Sequence, residues 1–163
     1  MHAQLHRASA RARLDPATLA WGGLLIATTD FLFCLAFWLP LGSSVPRLLQ
    51  SVAAGALGRD AFAGGWPAAA LGAGFMWLIG TMFVGAYALA AQRLDTLRRH
   101  AARQGPLYGL VLYLVMLRVV VPLSAAPAPA QASTAWTLAC LPMFAVFGTL
   151  AAVLGARAVM VRR

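Results

Sequence analysis

Four apolar runs dominate the chain, at about residues 17–41, 67–91, 106–122 and 134–156. A helix rises about 1.5 Å per residue, so about 20 residues cross a hydrocarbon core of about 30 Å. The runs are long enough to be read as four membrane-spanning helices. The third is the shortest: Pro106 opens it, Pro122 closes it and Arg118 interrupts it.

Local signals set the ends. Asp15-Pro16 supplies an N-cap and a proline at the first helical position of span 1. Trp21 and Trp38 sit near its two ends, where indoles prefer the membrane interface, and Pro40 closes it. Between spans 1 and 2, Ser43 or Ser44 followed by Pro46 starts another helix, over about 46–57. Its apolar part, Leu48 to Leu57, is too short to cross, and Gly58 and Gly64-Gly65 break the chain after it. It reads as an interfacial or a re-entrant helix. Backbone ends within lipid would need partners that the segment does not obviously supply, which favours the interfacial form. Span 2 is rich in small residues. Ala70 with Gly74, and Thr81 with Gly85, make two small-xxx-small pairs, and Gly80 lies beside them. Such faces let helix backbones approach closely in lipid, where no hydrophobic drive pulls helices together. Trp77, near mid-depth, is expected to fill core space and to need an acceptor for its N–H. Residues 92–105 read as a cationic loop and 123–133 as an extended Pro/Ala linker. In span 4, Trp136 marks the outer end and Pro142 offers a kink.

Composition agrees with this pattern. Of 163 residues, 61% are hydrophobic and 10% charged, against about 25% charged in a soluble domain. There are thirteen Arg, no Lys, four Asp and no Glu. A net charge of +9 would suit nucleic acid, but the placement of the arginines excludes it. They cluster at Arg7, Arg11 and Arg13, at Arg93, Arg98, Arg99 and Arg103, and at Arg157, Arg162 and Arg163, each cluster beside an apolar run. Cytoplasmic loops have this character. The expected fold is therefore an all-α integral membrane four-helix bundle with a short interfacial or re-entrant helix between spans 1 and 2. Residues 1–16 form a cytoplasmic basic arm, 17–160 a single transmembrane domain and 161–163 a basic tail. The first run is too long for the h-region of a signal peptide, and Leu39-Pro40-Leu41 offers no small-x-small cleavage site, so it reads as a retained span.

One acid and one base fall inside the spans. Asp30 lies 12 residues after Thr18, and Arg118 lies 12 residues after Pro106, so each is about 18 Å from the inner end of its own span. Both spans run in the same direction. Membrane charges usually pair or line a cavity. The sequence thus points to an intramembrane charged pair, Asp30 with Arg118, with Thr28, Thr29, Thr81 and Trp77 as a surrounding polar cluster. The competing reading is that Arg118, close to Pro122, snorkels to the headgroups while Asp30 stays neutral.

No catalytic or cofactor motif accompanies these residues. No histidine lies within a span, since His2, His6 and His100 are outside them, so no intramembrane base or haem ligand is available. Cys34 and Cys140 fall inside spans without a CxxC, and read as small apolar residues. No metal cluster, P-loop or dinucleotide fingerprint occurs.

The segment PRLLQSVAAGALGRDAFAGG, the small-rich span 2 and LYGLVLYLVMLRVVVPLSAAP resemble a group of small bacterial four-span inner-membrane proteins, distantly similar to the YagU-like family, over about residues 20–130. Those relatives carry a His near the place of Met76 or Trp77 and an Asn near Leu117, and this chain has neither. The resemblance implies a multi-pass protein of the bacterial inner membrane, and no activity. Two functions remain. The first is a non-enzymatic protein that packs with membrane partners or with itself in the lipid bilayer. The second is a small transporter or channel subunit that uses Asp30 and Arg118 in a polar path.

Reporter fusions at His100 and Ala128 should report opposite sides of the membrane, with His100 cytoplasmic; matching signals would overturn the four-span order.

Overall fold

The computed structural model describes residues 13–127 and 134–160. In chain order these form β1 (Arg13–Leu14), α1 (Pro16–Trp38), α2 (Val45–Leu57), a 3-10 turn (Gly58–Phe62), α3 (Gly65–Arg93), α4 (Asp95–Arg99), α5 (Ala101–Leu123), α6 (Thr134–Ala158) and β2 (Val159–Met160). Four of these helices, α1, α3, α5 and α6, are long and apolar enough to cross a membrane. The arm before Arg13, the tail 161–163 and residues 128–133 lie outside the described residues.

Asp15 caps α1 as its position suggested. Its carboxylate accepts from the backbone N–H groups of Ala17 and Thr18, both at 3.2 Å, and from the Thr18 hydroxyl. The helix ends at Trp38, and the chain turns through Gly42, whose φ of +85° favours glycine. Ser43 N–H returns to Trp38 O at 3.1 Å.

Pro106 does not open the third span. Helix α5 begins five residues earlier, at Ala101, with Pro106 inside it. Ala101, Ala102, Arg103 and Gln104 are good helix formers. A proline this near the start removes only one backbone bond. The expected loop 92–105 is accordingly helical for most of its length: α3 runs to Arg93, and α4 follows at Asp95. Near the other end of α5, Met116–Val120 opens into a π-turn, where Val121 N–H bonds Met116 O, five residues back. Pro122 would clash with the Arg118 carbonyl in a regular helix, and the wider turn relieves this.

The bundle is two close pairs, α1 with α3 and α5 with α6, joined along α3 and α6. Glycines make both contacts. Gly105 and Gly109 of α5 face Gly148 of α6 so closely that a Cβ on Gly148 would fall on their backbone. At the other pair, a Cβ on Gly80 would come within 2.6 Å of Gly23 O. Around these crossings the core is small: Ala88, Ala91, Ala151, Ala152 and Ala158 are buried, with Val84, Tyr87 and Phe147 as the larger fillers. Buried polar groups are satisfied there. Tyr87 donates to Leu97 O at 2.9 Å and Tyr108 to Phe83 O at 2.8 Å.

This end of the bundle also carries Arg13, Arg93, Arg98, Arg99, Arg103 and Arg157, since α1 starts and α3 and α6 finish here. A two-residue antiparallel ladder closes it, pairing Arg13 with Met160 and Leu14 with Val159. Asp15 N–H adds a bond to Ala158 O at 2.9 Å. Nothing in the hydrophobic pattern marks this ladder.

Helix α2 sits in the opposite half. It crosses α3 at Gly72, where a Cβ would meet Leu49 O. Gly72 is seven residues past Gly65, or about 10 Å down the helix. Its backbone and polar groups do find partners. Ala125 N–H bonds Gly55 O at 2.8 Å, and the Gln50 amide donates to Gly65 O at 2.9 Å. The linker after α5 therefore supplies what α2 alone lacks.

Gly148→Val should cost about 3 kcal/mol or prevent assembly, because neither facing backbone can yield. Gly74→Val, with nothing within 4 Å, should stay within about 0.5 kcal/mol; thermal unfolding in detergent compares them. The Thr18 hydroxyl and the two backbone bonds hold the Asp15 carboxyl below its usual range. The stabilisation is complete above the unfolded carboxyl's value, about 3.9, and is lost as pH falls through the lower folded one. Asp15→Asn should flatten the acid side of the stability profile and leave its shape at neutral pH unchanged.

Candidate functional site

The half of the bundle away from the arginines is built from large side chains. Phe33, Phe37 and Trp38 of α1 gather around Trp136 of α6, with ring centroids 4.9–5.5 Å apart. Across from them, Tyr113 of α5 meets Phe144 of α6 edge-on at 5.2 Å, and Phe144 meets Phe147 at 5.5 Å. Between the two groups lies a cavity of about 290 Å³, bounded by α1, α2, α5 and α6. A second lobe of about 130 Å³ extends towards α3, reaching Met76 and Gly80. Asp30, Val52, Met116, Phe144 and Phe147 line both lobes.

Asp30 is the only acid within the four spans and stands on this wall. It accepts a long contact from the Cys34 thiol, one helical turn on, at 3.8 Å. No cation lies within 4.0 Å of it: the one ion pair among the described residues is Arg98 with Asp95, at 2.9 Å on the surface. The expected Asp30–Arg118 pair is not formed. Helix α5 buries Gly105, Gly109, Leu112 and Tyr113 and turns Met116 to the cavity. Arg118 is two residues past Met116, hence on the opposite side of the helix, and is exposed. The facing direction was not legible in the sequence. Reading Arg118 as a snorkelling side chain fits this placement.

The hydroxyls do not gather around Asp30 either. Thr29 donates to Leu25 O and Thr81 to Trp77 O, both at 2.8 Å and both one turn back on their own helices. Thr28 is exposed and lines a shallow groove with Trp77, Phe31 and Leu49. Trp77 is 46% exposed, so it does not fill the core. Its N–H nevertheless has the acceptor it needs, Ala20 O at 2.9 Å, which ties α3 to α1.

Of the small residues expected to pack, Gly80 and Thr81 do so, against Gly23. Ala70 is exposed, and Gly74 and Gly85 have open space where a side chain would be. The residues that carry the other contact, Gly105 and Gly109 against Gly148, lie outside the expected packing set, because Pro106 reads as a helix start and leaves Gly105 in the loop before it. The four-residue spacing of Gly105 and Gly109 was the available signal.

Both cysteines are free and line the same cavity, together with Met116 and Met143. No group of three His, Cys, Asp or Glu converges among the described residues. No protein-family model, curated protein or solved structure matches the chain.

Since Asp30 and Arg118 face different surroundings, Asp30→Asn and Arg118→Ala should act independently. A double-mutant cycle on thermal stability should give a coupling below about 0.5 kcal/mol, and a coupling several times larger would restore the pair.

Proposed function

We propose that the protein is a small transporter or channel subunit of the bacterial inner membrane, with the Asp30 cavity as its binding site. The observation that carries this is an acid without a cation on the wall of a cavity between helices. Ionisable groups within membranes are costly and mark substrate or ion paths. A mainly apolar pocket with one polar group is the usual form of a ligand site. A merely structural acid would have been expected to end on a partner, and the candidate, Arg118, points elsewhere.

The arginine distribution supports cytoplasmic termini, with α2 on the outer side. The likeness to small four-span bacterial proteins supports the inner membrane as its site.

The packing function joins this reading rather than opposing it. Ala70, Gly74 and Gly85 form a small-residue line on α3 that no helix of the same chain covers. Four helices enclose little path by themselves. Self-association of two copies along α3 would cover this small-residue line.

The test fills the site. Val52 lines both lobes, and Val52→Trp should occupy them without touching the glycine crossings. A panel of small apolar and amphipathic compounds, screened by thermal shift in lipid nanodiscs, should contain members that raise the melting temperature of the wild type and not of Val52→Trp. Equal shifts in both, or none in either, would remove the cavity as a binding site.

A further inference from the structure

We infer that the ligand class of this cavity is a lipophilic organic cation, an inference that rests on the binding reading above. Charge comes first. The cavity wall carries one carboxylate and no positive group. An anion would find only repulsion there. A neutral apolar guest would draw nothing from this carboxyl group, whereas a cation would supply the counter-charge that its ionised form needs.

Coordination number separates the kinds of cation. Calcium and magnesium take six or more oxygen ligands. Here Asp30 stands with Cys34 and Cys140, soft and uncharged as thiols, and no three ligating side chains converge among the described residues. Each lost water of a small metal ion would go unreplaced. An ammonium clothed in alkyl or aryl groups carries little water and needs a single counter-charge.

The remaining wall suits such a group. Phe33, Tyr113, Trp136, Phe144 and Phe147 line the cavity together with Asp30. Aromatic faces attract organic cations, most strongly when water is excluded. Met116 and Met143 add unbranched thioethers that adapt to irregular shapes. The volume of about 290 Å³ fits one ring with a small ammonium head, and limits the class to compact monocations.

The full-length protein in lipid nanodiscs is titrated with benzyltrimethylammonium and with neopentylbenzene, its uncharged carbon isostere. Binding is read by calorimetry and by slower N-ethylmaleimide modification of Cys34 and Cys140, the chain's only cysteines. The expected result is saturable binding of the cation, at least about tenfold tighter than the isostere. Asp30→Asn should abolish that preference and Asp30→Glu should keep it. If Asp30→Asn fails to fold, the comparison of the two probes on the wild type decides alone. Equal binding of both probes, or an undiminished preference in Asp30→Asn, overturns the cation class. Binding of the neutral probe alone does the same, yet leaves the cavity as a ligand site. Binding of neither probe to the wild type ends both.

Discussion

Backbone-to-backbone approach at glycine is what the rest of this structure depends on. In lipid the tails around a helix are as apolar as its own leucines, so association must come from close packing and from hydrogen bonds. Gly105, Gly109 and Gly148 bring α5 onto α6, and Gly23 and Gly80 bring α1 onto α3. These crossings lie in the half that carries the arginines, where the buried side chains are mostly alanine. Helices held that closely at one end need larger side chains to fill the widening space at the other. Phe33, Phe37, Trp38, Tyr113 and Trp136 occupy it, and Phe144 and Phe147 reach into it from beside the crossing of Gly109 and Gly148. Rings do not tile such a space completely, and the remainder is the cavity. The site is thus a consequence of how the helices are held together.

Helix α2 completes the wall. Its amphipathic sequence is too short to cross, and it lies against α3 because Gly72 admits the Leu49 carbonyl. Its Ser51 and Val52 reach the cavity while Ala53 and Ala54 are buried against the chain that follows. The bond from Ala125 to Gly55 fixes it to the end of α5. Both elements line the cavity beside Asp30.

The architecture was legible because length and arginine placement are coarse signals that tertiary contacts do not alter. Asp30 was legible for a similar reason: an acid in an apolar run stands out whatever surrounds it. Direction was not. Whether Arg118 faced Asp30 depended on helical phase, and the π-turn at Met116–Val120, set by Pro122, is a local departure that periodicity does not reveal. The glycine spacing at 105 and 109 was visible but masked by a proline that usually opens helices. On α3 the small residues were legible as one set, and only the fold separates Gly80 and Thr81, which meet Gly23 of α1, from Ala70, Gly74 and Gly85, which no helix covers.

The ladder between residues 13–14 and 159–160 has a consequence for the order of assembly. Its two strands are separated by nearly the whole chain, so the earlier one emerges from the ribosome long before the later one exists. Until α6 has entered the bilayer, Leu14 and the amide of Asp15 lack these partners, and α1 is held by α3 and α2. Synthesis arrested before that last insertion leaves an open, unlatched bundle, whose exposed backbone groups are what a membrane quality-control protease would encounter.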